Sequence, residues 1–287
     1  MDFNTYFNKS WDEHGDDSLK VASTFPEGIK FINTAPQITQ FTNLVTHVMG
    51  VHLGKTSEGI SILQQLESLE FNNADTFLNI KISKTILSYV DSANLDLSGF
   101  SDSEKVRIVS TAASCFQGLD KILESQTALN KAVSLASVLD AKDPANRSLA
   151  VSGNVIASTL EEKTVRSSEE VELMLLAAHV ARKYWEIFGT WLEVERAEYR
   201  LAQSYLKARD LISSIKHANL CLTICEENKA PSLEFFFAYE AIAGVEIAMN
   251  QPLRSLIQIE KHFAALSNED KLWCEVVLKR INTGKYV

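Results

Sequence analysis

Glycine and proline are scarce, 11 and 5 in 287 residues. Long stretches contain neither, which argues for long helices and against a sheet with many turns. Cysteine is scarce as well. The four, Cys115, Cys221, Cys225 and Cys274, are scattered and form neither a disulfide framework nor a paired CxxC zinc spacing. Four free thiols are the expectation. No apolar run is long enough to cross a bilayer, so no membrane partner is expected. The opening MDFNTYFNKSWDEHGDD is acidic and lacks the apolar core of a signal peptide. A reducing, cytoplasmic setting of the bacterial kind is expected. Positive charge is in deficit: the net charge is −9 and the pI about 5.3. An acidic chain gains little from a phosphate backbone, which excludes nucleic acid as a general partner.

What the sequence does have is apolar periodicity. Apolar residues make up 46% of the chain, enough to exclude wholesale disorder. Their spacing predicts about twelve helices, near 37–53, 57–70, 74–91, 102–123, 126–140, 145–161, 168–188, 191–208, 211–227, 232–249, 252–266 and 269–281. Start signals support them. Ser101 with Glu104 and Ser167 with Glu170 place acceptors and acids at free backbone N–H groups. Pro144, Pro231 and Pro252 stand where helices begin. Connections are short apart from 91–101, so neighbouring helices should run antiparallel. The expected organisation is an N-terminal segment over 1–35 and one continuous helical domain over 36–287.

A spacing recurs. Ser214 follows Ala202 by twelve residues, Ser255 follows Ala243 by twelve, and Gly59 follows His47 by twelve. Helices that cross closely need a small side chain at the contact, and His47 fits that place poorly. The segment Leu53-Gly54-Lys55-Thr56-Ser57-Glu58-Gly59-Ile60 resembles the loop and second-helix start of a tetratricopeptide repeat, and Leu201-Ala202-Gln203-Ser204-Tyr205 resembles its first-helix signature. The stretch from Arg182 to Ala202 is similar to segments of bacterial tetratricopeptide proteins of unassigned function. The resemblance covers 165–282, more weakly 12–91, and leaves out 92–164. It implies an all-α superhelix of antiparallel hairpins with a concave groove for partners, and no activity.

The candidate chemistry is thin. His217, Cys221 and Cys225 lie at i, i+4 steps on one helix, but three ligands strung along about 12 Å cannot all reach one ion. His47 and His52 lack an HExxH context, and no GxSxG, Walker loop or GxGxxG is present. No catalytic residue, metal site or cofactor is assigned. The acids Asp12, Glu13, Asp16 and Asp17 read as a solvated turn. Tyr184, Trp185, Phe188, Trp191 and Tyr199 form the densest aromatic patch, at spacings that suit a core.

The segment 182–217 runs against the acidic whole: Arg182, Lys183, Arg196, Arg200, Lys207, Arg209 and Lys216 face Glu186, Glu193, Glu195, Glu198 and Asp210, seven to five. Counted from the small crossing residues, the groove side holds Arg147, Asn154, Arg196, Tyr199, Gln203 and Lys207. With Arg200, these are the expected partner-binding residues. Asn154, Arg196 and Arg200 resemble part of the carboxylate clamp of tetratricopeptide domains. The Lys and Asn that the clamp draws from the preceding repeat are missing, and both arginines could instead pair with acids such as Glu193. The leading expectation is an adaptor that binds an acidic or C-terminal carboxylate segment of a protein or peptide, and a homo-oligomer is compatible with it. The alternative is a small-molecule or metal sensor using the aromatic patch or the Cys/His stripe; an enzyme comes third.

Overall fold

Two antiparallel helices can approach closely only if the chain turns tightly and a small residue sits at the crossing. Three hairpins of this protein close the first helix in the same way. In the computed structural model, which describes residues 1–92 and 95–284, they join α7 (Asp102–Gly118) to α8 (Ile122–Ala136), α11 (Trp191–Lys207) to α12 (Leu211–Asn228), and α13 (Ser232–Ala248) to α14 (Leu256–Ala264). Each first helix ends in a left-handed residue: Asp120 at φ 56°, Arg209 at 62° and Asn250 at 52°. The following N–H returns to the carbonyl five residues back, Lys121 to Phe116 at 2.9 Å, Asp210 to Tyr205 at 3.0 Å and Gln251 to Glu246 at 2.8 Å. This is the Schellman closure of a helix end, which satisfies carbonyls the helix leaves open.

The twelve-residue spacing now has a bond behind it. Ser214 Oγ donates to the Ala202 carbonyl at 2.8 Å, and Ser125 Oγ donates to the Ala113 carbonyl at 2.8 Å. The serine of one helix thus ties onto the small residue of the helix before it. The α7–α8 hairpin shares this geometry although it lies within 92–164, where the sequence shows no motif. Its small residue is Ala113 and its left-handed residue is an aspartate, so no glycine marks the turn.

A fourth hairpin departs by one residue. Here α4 (Ala35–His47) runs into a π-helical turn, Val48–His52, before α5 (Thr56–Leu66). Gly54 holds the left-handed place at φ 61°. The closing bonds are each one residue longer than in the other hairpins: Leu53 N–H reaches Val48 O at 3.1 Å and Lys55 N–H reaches Met49 O at 3.0 Å. The extra residue shifts the register before the turn. Counted back from Gly54 with that extra residue, the crossing register falls on buried Thr46 in place of His47. That is the physical reason for its poor match.

All twelve expected helices are present, and the described residues contain no strand. The remainder are α6 (Ala74–Ser92), α9 (Ala145–Glu162), α10 (Ser168–Phe188) and α15 (Asn268–Asn282). The capping boxes of Ser101 with Glu104 and Ser167 with Glu170 both form. Three further helices lie in the N-terminal segment: α1 (Phe3–Glu13), α2 (Ser18–Ser23) and α3 (Phe25–Gly28). The last two are too short to read in advance; α1 carries apolar residues at helical spacing, Phe3, Tyr6, Phe7 and Trp11, and is not among the expected twelve.

The chain packs as two compact units, 1–152 and 153–287, with the division inside α9. In the first, Phe3, Tyr6, Val21 and Phe25 share one core with Ile38, Phe41, Leu44, Met49 and Leu63, so the N-terminal helices belong to this unit. In the second, Phe236 is fully buried, while Phe235 stacks on His262 at 4.8 Å and Phe237 on Trp273 at 5.2 Å. The run of three phenylalanines therefore serves packing between helices. All four cysteines are buried and free.

The closest approach tests this account. A Cβ added at Gly118 would stand 2.3 Å from the Val51 carbonyl oxygen, whereas one at Gly15 would meet nothing within 4 Å. Gly118→Ala is expected to lower the unfolding free energy by about 1–3 kcal/mol through overpacking. Gly15→Ala should change it by less than about 0.5 kcal/mol. Urea unfolding of the two variants compares them directly.

Candidate functional site

The predicted partner-binding residues lead to a seam of buried charge in the second unit. Glu161, Glu195, Glu198, Glu234 and Glu240 are all at least 92% buried. They fall there because α11 and α13 turn one face each toward their neighbours, carrying four of the acids among alanines, and Glu161 joins them from the end of α9. A buried carboxylate without a partner is costly, so each should have one.

Three have guanidinium groups. Arg196 forks onto Glu234, with Nη2 to Oε1 at 2.6 Å and Nε to Oε2 at 3.2 Å. Arg200 donates through Nη1 to Glu161 and through Nε to Asn154 Oδ1 at 3.4 Å, while Ser204 Oγ donates to the other Glu161 oxygen at 2.5 Å. Arg182 donates through Nε to Glu198 at 2.5 Å, and His217 Nδ1 lies 2.6 Å from the second Glu198 oxygen. Burial raises the Glu161 carboxyl despite Arg200 and Ser204. At Glu198 burial acts the same way, but the His217 and Arg182 hydrogen bonds outweigh it and the group ends below its usual value. Tyr199 donates its hydroxyl to Glu240 at 2.7 Å. Burial first, and Glu240 second, hold that phenol well above its ordinary range.

Glu195 has no guanidinium of its own. Cys221 donates to its Oε1 at 2.7 Å and Cys225 at 3.5 Å. Burial pushes this carboxyl up to about 7, the thiol hydrogen bonds oppose that, and neighbouring Glu234 adds to it. The helical stripe therefore divides. His217 joins Glu198, while Cys221 and Cys225 converge with Glu195 from the adjacent helix, their ligand atoms within 4.8 Å of one another.

The structure brings Asn154, Arg196, Tyr199 and Arg200 into this one network. Their partners are buried Glu161, Glu234 and Glu240, while Glu193 instead caps its own helix at Thr190. Gln203 is 8% exposed, which places it inside the unit and not on a groove wall. Arg147 is exposed and lies in the first unit. Lys207 is half-buried at the end of α11. Burial lowers its ammonium pKa, and Arg166 and Arg280 lower it further while Glu161 opposes them. Arg166, in the α9–α10 turn, also donates to the carbonyls of Leu160, at 2.5 Å, and Glu161, at 2.5 Å. Arg280 is exposed near the end of α15. The sequence offered no sign that Arg166 and Arg280, 41 and 73 residues from Lys207, gather around it. Of the aromatic patch, Tyr184 is buried and Trp185, Phe188 and Trp191 are partly buried.

No family model, curated protein or solved structure matches this chain.

The two expected clamp arginines should differ in weight. The Arg200 side chain is 23% exposed and its partner Glu161 8%, whereas Arg196 is 58% exposed. Arg200→Ala strands a buried carboxylate and is expected to cost about 3 kcal/mol. Arg196→Ala also strands a buried carboxylate, Glu234 at 6% exposed, but the guanidinium lies at the solvent boundary, where water replaces it in part, so the cost should be smaller, about 1–2 kcal/mol. Thermal and urea unfolding of the two single variants measures the difference.

Proposed function

We propose that the protein is a non-catalytic interaction module whose second unit takes an acidic, carboxylate-bearing segment of a protein or peptide partner. The observation that carries this reading is that the charges of Arg166 and Arg280, from two other elements, reach half-buried Lys207 and, adding to its burial and with Glu161 and Glu240 opposing them, help hold its ammonium below its usual value, in a chain of net charge −9. Like charges are held together at a cost, and an anion relieves it. Arg196 adds an exposed guanidinium whose bidentate bond to buried Glu234 fixes its orientation. A side chain held from behind in this way loses less entropy when it captures a carboxylate.

The helical fold supports the same reading, since stacked hairpins offer extended surfaces for a partner chain. It resembles the tetratricopeptide mode of peptide recognition, with the partner's carboxylate as the anchor. No helix among the described residues is long and apolar enough to cross a membrane, in keeping with a protein that works in the cytoplasm. A second reading, a metal sensor, draws on the convergence of Glu195, Cys221 and Cys225.

Fluorescence anisotropy with a labelled acidic peptide ending in a free carboxylate tests the proposal. The wild-type chain should bind it more tightly than a basic control peptide, with affinity falling as salt rises. Lys207→Glu and Arg280→Glu should each weaken binding at least about tenfold, the scale of a 1.4 kcal/mol loss. Equal affinity for acidic and basic peptides, or variants that bind like wild type, would overturn it.

A further inference from the structure

The one-residue insertion in the first hairpin has a chemical result. In a regular α-helix, residues five apart point about 140° away from each other. The π-helical turn removes that separation, and the rings of His47 and His52 come face to edge with centroids 4.8 Å apart. His14, from the turn after α1, completes the group. Its Nε2 lies 3.1 Å from His47 Nε2, which lies 3.1 Å from His52 Nε2. All three donor atoms are within 4.8 Å of one another.

Proton counting shows what this arrangement lacks. His14 Nδ1 lies 2.5 Å from the Trp11 carbonyl oxygen, which can only accept. Nδ1 therefore carries the hydrogen, and His14 Nε2 presents a lone pair to the cluster. A hydrogen on His47 Nε2 can point along one of its two 3.1 Å contacts but not both. With no such hydrogen, His47 and His14 oppose lone pair to lone pair. Neutral imidazoles alone leave at least one contact unsatisfied.

We propose that His14, His47 and His52 form a binding site for one divalent transition-metal ion of the zinc class, with a fourth coordination position open to solvent. A central cation turns all three lone pairs into bonds. Zinc–nitrogen bonds of about 2.0–2.1 Å in a tetrahedron set nitrogen–nitrogen spacings of about 3.4 Å, close to the two 3.1 Å contacts, with the third pair within 4.8 Å. Three neutral imidazoles suit zinc, copper, nickel and iron better than calcium or magnesium, which prefer oxygen. The surroundings are those of a metal site. His14 is oriented by a backbone carbonyl through its far nitrogen, the outer-shell bond that metal-ligating histidines usually make. Ser18 Oγ donates to the His14 carbonyl at 2.6 Å and steadies the turn. Trp11 walls one side, its ring 4.9 Å from His14 and 5.1 Å from His47. His52 is exposed, which leaves solvent access to the ion. Exposed Asp12, Asp16 and Asp17 beside His14 raise the local concentration of cations. The site lies wholly in the first unit and stands apart from the peptide-binding proposal.

Cobalt(II) and zinc(II) titrations of the untagged full-length chain test the site. Cobalt should bind at one equivalent with visible ligand-field bands and no intense near-ultraviolet thiolate band, and zinc should displace it. His52→Ala, at an exposed position, should retain the helical spectrum and weaken cobalt binding at least about 100-fold, since losing even an outer-shell partner costs 10–100-fold. Cys221→Ser should leave the titration unchanged. The proposal is overturned if cobalt fails to bind at micromolar concentration, or if His52→Ala binds like wild type. It is equally overturned if the cobalt complex shows a thiolate band that Cys221→Ser removes, because the ion then sits at Glu195, Cys221 and Cys225.

Discussion

The close crossing of two antiparallel helices is the constraint on which the rest depends. It demands a small residue at the contact and a left-handed residue at the end of the first helix. Ala113 with Asp120 and Ala202 with Arg209 meet both demands, and in each a serine hydroxyl bonds the small residue's carbonyl. Once the crossing is fixed, the faces that the helices turn inward are fixed too. In the second unit that brings five glutamates into the interior. Three are answered by arginines, one by a tyrosine hydroxyl and one by two thiols. The polar seam is thus a consequence of register, and its ion pairs resist any slip that would leave a carboxylate alone.

A consequence for function is that charge and exposure separate. Arg200 is occupied by Glu161 and Asn154 inside the unit, while Arg196 keeps an outward face. For the partner proposed here, Arg196 is the accessible guanidinium, with the charges of Arg166, Lys207 and Arg280 beyond it. Two arginines that look equivalent at i and i+4 therefore have different duties, one mostly structural and one available.

The sequence made the helices legible because the segments from residue 37 onward are rich in apolar residues and poor in breakers, and most carry a 3.6-residue apolar period; α13 is apolar on all sides. The sequence also made the crossings at Ala202 and Ala243 legible through the twelve-residue spacing to a serine. The hairpin at Ala113 obeys the same spacing to Ser125, and that spacing was there in the sequence but went unread. Helices α2 and α3 escaped because they span 6 and 4 residues, less than two turns of period; α1 escaped too, although Phe3, Tyr6, Phe7 and Trp11 stand at helical spacing. The arginine partners were hidden for another reason: Glu234 and Glu161 lie 38 and 39 residues from Arg196 and Arg200, and no local pattern links them. His47 and His52 were visible as a pair, yet their i, i+5 spacing means divergence in an α-helix and convergence only in a π-turn. The one signal was the misfit of a histidine at a crossing position. His14, 33 residues earlier, had no signal at all.

That misfit ties the hairpin constraint to chemistry. The first hairpin carries an extra residue, loses a regular helical turn and gains three imidazoles around one point. An ion would couple the α1–α2 turn to the π-turn, closing a chain segment that is otherwise held by packing. A double-mutant cycle of His14→Ala and His52→Ala, read as unfolding free energy with zinc and again with a chelator, measures that coupling. The account predicts strong coupling in zinc, where either single change already forfeits the ion's stabilisation, and additive effects in chelator. Equal coupling under both conditions would mean that the three rings meet through packing alone, and would contradict it.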